Sequence, residues 1–313
     1  MRRVMVLLLG VFLTVSLMAG GQGDAGEFKY PTKTIEFLGG APGGDTDMFP
    51  RITAKYLEKL WGVPIIITNS ERAVAIGNRI HGAPPDGYTV LGYQDNLLVS
   101  MVNGSLDFTL DDLTIVAKFA ELPGHAIAVK ADRGWKTLKD FAKACEERPD
   151  TLTLGVQFAG TTRVMAGMLQ EAGLKVRLVD SGGAERVQMM EGGHIDALIN
   201  SYQFCAPYVA AGKWNVLAIC NEERSEMCPG VPTAKEQGFD AVFPARHVIY
   251  MPKGVDPRIV DEWNKALVTI NKDPAYVKEI SDVVKGYARY ANATETRKML
   301  DEIFPLLRKY LKK

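Results

Sequence analysis

Three stretches of this chain set small residues, with hydroxyls or a carboxylate nearby, directly ahead of a segment with helical spacing. They are Gly39-Gly40-Ala41-Pro42-Gly43-Gly44-Asp45-Thr46-Asp47, Gln157-Phe158-Ala159-Gly160-Thr161-Thr162-Arg163 and Ser181-Gly182-Gly183-Ala184. The chemistry they offer is anion binding. Small residues let a ligand approach the backbone, and the free N–H groups at a helix start carry partial positive charge suited to a carboxylate or phosphate. The hydroxyls of Thr161 and Thr162 add caps or ligand donors. Each stretch also reads as a plain turn between strand and helix, and the first matches neither a GxGxxG nor a P-loop pattern. Three that can face one cleft argue for a ligand site.

The elements that must position these loops alternate along the chain. An apolar run, Thr34 to Leu38, precedes the first loop, and Phe49, Ile52, Tyr56, Leu57 and Leu60 follow it at helical spacing. Asp47 is the expected N-cap, which puts Pro50 in the first turn, where a missing N–H is tolerated. Val63-Pro64-Ile65-Ile66-Ile67-Thr68 reads as a strand buried on both faces of a parallel sheet, and Tyr88 to Tyr93 as a third strand. From about Gly124 the same alternation restarts, with strands expected at 126–129, 152–156, 176–179, 197–200 and 216–220. Val248 to Met251 crosses back, and helices at 257–270, 274–284 and 295–311 finish the chain. The predicted architecture is α/β, with two doubly wound sheets in two lobes joined by two hinge crossings, near 122–126 and 239–250. Residues 26–122 with 245–313 form one lobe and 123–244 the other. Ligands in such sheets bind beyond the carboxyl ends of the strands, where the first loop and Asn69 would lie.

Residues 1–25 read as a secretory signal peptide: Arg2 and Arg3, an apolar run from Val4 to Leu17, then small residues. Residue 21 is Gly where a lipoprotein signal would carry cysteine, so a soluble exported product is expected. Lysine plus arginine and aspartate plus glutamate balance at 37 each, which argues against nucleic acid or an anionic membrane surface as partner. Neither the four cysteines nor the four histidines are spaced as metal ligands, and no cofactor motif is present. In an exported chain Cys220 and Cys228 either form a short bridge or stay free thiols.

Tyr30-Pro31-Thr32-Lys33-Thr34-Ile35, the Pro42-Gly43-Gly44-x-Thr46-Asp47 loop, Pro64 to Asn69, Pro85-Asp86-Gly87-Tyr88-Thr89, Gly193-x-Ile195-Asp196, Ala211-Gly212-Lys213 and Pro229-Gly230-Val231-Pro232-Thr233 occur in this order. In that order the chain resembles the substrate-binding proteins of tripartite tricarboxylate transporters, the Bug family, over nearly all of its mature length. The resemblance implies a two-lobed periplasmic binding protein, acting as a monomer. It would close over a small carboxylate, a di- or tricarboxylate or an amino acid, and deliver it to membrane permease subunits. It also implies ligand contacts at Ala41, Pro42, Gly43, Gly44, Asp45, Thr46 and Asp47, and at Phe158, Ala159, Gly160, Thr161, Thr162 and Arg163, largely through backbone N–H groups. The third loop adds Ser181 and Gly182.

Departures from the family pattern leave the ligand open. Asp45 stands where the family has a third glycine, and would either sit beside the anion or receive a ligand ammonium. Arg163 and Arg246 would either clamp a distal carboxylate bidentately, or simply decorate the surface or pair with a nearby acid such as Asp45. Asn200, expected at a loop start, either meets the polar end of the ligand or caps a turn. An enzyme is the rival class, but no GxSxG, HExxH or P-loop is present. A ligand sensor for a membrane signalling partner would use the same fold and cleft.

Overall fold

Chain direction decides the layout of both sheets. In the first, β1 (Ile35–Gly39), β2 (Ile65–Asn69) and β3 (Thr89–Gln94) are connected through helices α1 (Asp45–Trp61) and α2 (Ala73–His81). Helical crossovers return the chain to the same end, so β1 pairs with both neighbours in parallel. After α3 (Asn96–Val102), strand β4 (Leu113–Glu121) leaves for the second sheet, where β5 (His125–Lys130) begins. There α4 (Leu138–Glu147), β6 (Thr153–Val156), α5 (Thr161–Glu171), β7 (Arg177–Asp180), α6 (Gly183–Glu191), β8 (Ala197–Ser201), α7 (Tyr202–Ala210) and β9 (Trp214–Cys220) follow. The chain returns through β10 (Arg246–Pro252) and ends with α8 (Pro257–Asn271), α9 (Pro274–Glu279), β11 (Ala291–Asn292) and α10 (Ala293–Leu311).

The sheet orders are β11-β4-β10-β3-β1-β2 and β7-β6-β8-β5-β9. A strand that arrives from the other sheet runs against the resident strands, so β10 lies antiparallel between β3 and β4, and β5 antiparallel between β8 and β9. The two sheets therefore share one design, parallel strands, an antiparallel incoming strand, then one more, to which the first sheet adds the short β11 at its edge. This computed structural model describes residues 28–311; the signal-peptide reading and the terminal Lys312 and Lys313 lie outside the described residues. Pro31 onward forms one compact unit.

Several local expectations need correction. Helix α1 begins at Asp45, with Gly44 as its N-cap, so Asp47 and Pro50 both lie inside it. The missing N–H of Pro50 leaves the Thr46 carbonyl free, and Gly40 N–H donates to it at 2.9 Å. The proline thus ties the loop to the helix instead of starting the helix. Strand β2 is an edge strand paired only with β1, and Ile66 is 58% exposed, because nothing covers its outer face. Asn200 lies within β8, not at a loop start. The four cysteines are buried and free; Cys220 and Cys228 pack in separate apolar clusters, so no bridge joins them. The last predicted helix before α10 is divided, α9 giving way to a π-turn at Ile280–Val284.

The first sheet is anchored by rings. Phe119 on β4 is fully buried, with ring centroids 6.4 Å from both Phe37 and Phe49 and 6.2 Å from His247. Helix α10 begins beside β11 and ends against α5 of the second sheet, where the Tyr310 hydroxyl donates to Glu171 at 2.6 Å and Lys309 pairs with the same carboxylate at 2.7 Å. Gly167 makes room for it, since a Cβ there would lie 2.6 Å from the Tyr310 ring. Phe119→Ala should lower unfolding free energy by about 3–5 kcal/mol, read by urea denaturation, because the surrounding rings cannot collapse into the space.

Candidate functional site

The carboxyl ends of six parallel strands point at one cleft of about 590 Å³ between the sheets. Its walls include Ala41 to Thr46 after β1, Glu71 after β2, Gln94 and Asn96 at β3, Gln157 after β6, Gly182 to Arg186 after β7, and Asn200, Ser201 and Phe204 around the end of β8. Thr161, Thr162, Tyr93 and His125 complete it. A second hollow of about 520 Å³ lies along α10, but there Arg297 is already paired with Asp111 at 2.6 Å and with Asp301 at 2.9 Å.

On the first wall three of the loop's N–H groups are already answered from within. Gly43 N–H donates to Asp47 Oδ2 at 2.8 Å, Gly44 N–H to the Ala41 carbonyl at 3.1 Å and Gly40 N–H to Thr46. Asp47 also accepts from Asn69 at 2.9 Å and Arg51 at 2.7 Å, and these donors hold its carboxyl below the usual range although burial opposes them. Asp47 is thus a brace beneath the loop and does not line the cleft. Gly40 is required because a Cβ would lie 2.0 Å from Thr46 Oγ1. Asp45 does line the cleft; it is 6% exposed, and its Oδ2 sits 3.1 Å from His247 Nε2 on β10. Burial alone would raise its carboxyl, but the His247 contact and the Thr46 N–H outweigh that and leave it lowered, hence ionised. Since an ionised carboxylate only accepts, Nε2 carries the proton in that bond.

The second wall is different. At the start of α6, Gly182 N–H donates to Glu185, while no partner within the described residues answers the N–H groups of Gly183 and Ala184. Asn200 donates to the Gly183 carbonyl at 2.8 Å and so holds this turn in place. One turn into α6 sits Arg186, only 3% exposed. Its Nη1 donates to Thr162 Oγ1 at 3.2 Å and to the Ile199 carbonyl, and its Nε to the Gly182 carbonyl at 3.3 Å. Burial lowers it to about 10, so it stays cationic at neutral pH. Gly155 accommodates its stem, for a Cβ there would lie 3.2 Å from Arg186 Cγ. His125 is pushed down to about 4, chiefly by burial, and is neutral.

Of the residues singled out in the sequence, Ala41, Pro42, Gly43, Gly44, Asp45, Thr46, Thr161, Thr162, Gly182 and Asn200 line this cleft. Ser181 is buried just behind it with its Oγ unpartnered. Gly160 caps α5, its N–H turned to the Gln157 carbonyl at 3.0 Å, while Ala159 is exposed and Phe158 is 46% exposed outside the lining. Arg163 is placed toward Gly167, which faces Tyr310 of α10, and not in the cleft wall. Arg246 lies behind the first wall beside Asp95, whose carboxylate accepts its backbone N–H at 3.4 Å. Arg186, His125, His247, Gln94 and Tyr93 escaped the sequence reading. Arg186 left one signal: a cation in the first turn of a helix opposes the helix dipole and needs a reason to be there.

The profile of the tripartite tricarboxylate transporter family receptor, TctC, matches residues 49–304. The chain belongs to that family. A Cupriavidus necator protein described as the UPF0065 protein in the gbd 5' region is 28% identical over 261 residues, covering 81% of this chain and 79% of the relative. Among solved structures, one described as a periplasmic transporter superposes with a TM-score of 0.82 at 24% identity, covering 91% of this chain and 98% of its own. MatC from Rhodopseudomonas palustris, solved with bound malate, superposes with a TM-score of 0.78 at 22% identity, covering 90% and 100%. At these identities the structures establish the fold, a two-lobed periplasmic binding protein fold, and the family assigns this receptor to solute binding.

Asp95 of this receptor is buried behind the cleft with its Oδ1 unpartnered. Burial raises its carboxyl to about 6, with the nearby Arg246 charge opposing. The folded state therefore holds this proton to higher pH than the unfolded chain does. Its contribution to stability is full below about pH 4 and is lost as pH rises through about 6, a change of about 3 kcal/mol. Stability of the wild type relative to Asp95→Asn should fall by that amount between pH 4 and 7, measured by urea denaturation across the range.

Proposed function

We propose that the protein is an exported receptor that captures a small carboxylate between its lobes and presents it to the membrane permease subunits of a tripartite tricarboxylate transporter. The observation that carries this reading is the convergence of strand ends and helix starts on one cleft whose second wall holds unanswered N–H groups beside a buried guanidinium. An isolated carboxylate leaving water for such a site would cost several kcal/mol unless donors met each oxygen, and this wall supplies them. The similarity to a protein solved with malate agrees in ligand class and size.

Capture proceeds by closure about the two strand crossings, at 121–125 and 220–246. One hydrogen bond already spans the cleft: Thr161 N–H on α5 donates to Asn96 Oδ1 on α3 at 2.9 Å. The start of α5 is thus where the lobes meet, and a ligand that bridges the walls adds to that contact and excludes water.

In a thermal-shift screen of residues 26–313 against mono-, di- and tricarboxylates, amino acids and neutral sugars, an anion at a hundredfold its dissociation constant should stabilise by ~2.7 kcal/mol. Gly160→Pro should abolish that shift and leave the circular dichroism spectrum intact. Proline removes the N–H bonded to Gln157 and cannot adopt the φ of −145° found at Gly160. A shift with sugars alone overturns the reading, and full binding in this variant removes the start of α5 from the site.

A further inference from the structure

Resting on the carboxylate reading, we infer that the receptor is built for an amino acid zwitterion, whose carboxylate meets Arg186 and whose ammonium meets Asp45 across the cleft. The two walls have opposite chemistry. On the second, Arg186 is buried, three of its bonds are accounted for, and its Nη2 has no partner among the described residues. That nitrogen lies 3.9 Å from where a Gly183 Cβ would stand, at the α6 turn whose N–H groups are also unanswered. A guanidinium edge beside free backbone donors is a receiver for a carboxylate, two oxygens against parallel N–H groups.

On the first wall the N–H groups of Gly40, Gly43 and Gly44 are taken by the chain itself, and Asp45 presents an acceptor to the cleft. Asp45 is ionised, lines the cleft and can only accept. The Gln94 amide lines the same wall with its Oε1 unpartnered, one position across the sheet from His247. His125 feels the charges of both Asp45 and Arg186, while Asp45 and Arg186 do not pair with each other. The opposite charges thus stand on separate walls without neutralising each other, and a ligand carrying both signs is complementary to the pair.

Charge balance separates this from a dicarboxylate. The ionisable side chains in the lining, apart from neutral His125 and Tyr93, are Arg186 against Asp45, Glu71 and Glu185. Two further carboxylates would add to an acidic excess in a space from which closure removes water, where like charges repel most strongly. A zwitterion adds no net charge.

The test is calorimetric titration of the purified mature protein with matched pairs: the common α-amino acids, β-alanine, γ-aminobutyrate and 5-aminovalerate, each against its des-amino acid, together with malate, succinate and adipate. At least one amino acid should bind about tenfold or more tightly than its des-amino partner, since a site built to hydrogen-bond a group rejects the analogue lacking it. Asp45→Asn should bring that ratio to within about threefold, and Arg186→Gln should abolish binding of both members. Arg186→Lys should restore part of it. The ratio is read in the folded fraction, so reduced stability of a buried-site variant does not mimic the result. Tight binding of dicarboxylates with no amino acid preference overturns this inference and leaves the carboxylate reading standing. Binding of no carboxylate at all overturns both.

Discussion

A carboxylate held at the start of α1 by a histidine from the far end of the chain sets the terms for the cleft. Asp45 and His247 are 202 residues apart in sequence and 3.1 Å apart in space. The contact occupies the electropositive end of α1 with the protein's own anion, fixes β10 against the first loop, and leaves that wall with an acceptor facing the cleft. Asp47, two residues further on, ties Gly43, Asn69 and Arg51 together beneath it. The Gly183 and Ala184 N–H groups and the Arg186 nitrogen with no partner among the described residues lie on the opposite wall, where α6 begins.

That division follows from the topology. Each sheet offers three strand ends to the cleft, and each has an antiparallel incoming strand beside them: β10 in the first and β5 in the second. These two strands carry His247 and His125, both buried, His125 in the cleft lining and His247 bonded to Asp45. The crossings between the sheets thus deliver side chains to the cleft and to the residues behind it. Asp95, Arg246 and Glu121 gather beside the crossings in low-dielectric surroundings, where charge interactions are least screened. Helix α10 gives the lobes a further connection through Glu171, at the far end of the helix whose start bonds Asn96.

Much of the molecule was legible in the residues. Strand, small-residue loop and helix recur because an apolar run of strand length, a loop without bulky side chains and a 3.6-residue period each leave a local mark. Such marks place the three loops and the order of elements, and the order of short motifs reaches the transporter family. What stayed hidden depends on residues distant in sequence. Val63 to Thr68 reads as a buried strand, yet which strand ends at a sheet edge depends on the pairing of all the others. Asp47 has the composition of a cap, but Pro50 and Gly40 settle its place inside the helix through one long-range carbonyl contact.

By itself, then, the sequence determined the α/β architecture, the presence of small-residue loops at helix starts and the membership of a binding-protein family, because these rest on local periodicity and short-range spacing. Only the tertiary structure decided which charges face the ligand. It turned Arg163 and Arg246 away from the cleft, brought Arg186 and Asp45 to opposite walls and set His125 in the same lining. The physical reason is that a charge's role depends on what surrounds it in three dimensions. Burial, an unanswered donor and a neutralising partner are supplied by strands and helices far apart in the chain, and no local pattern records them.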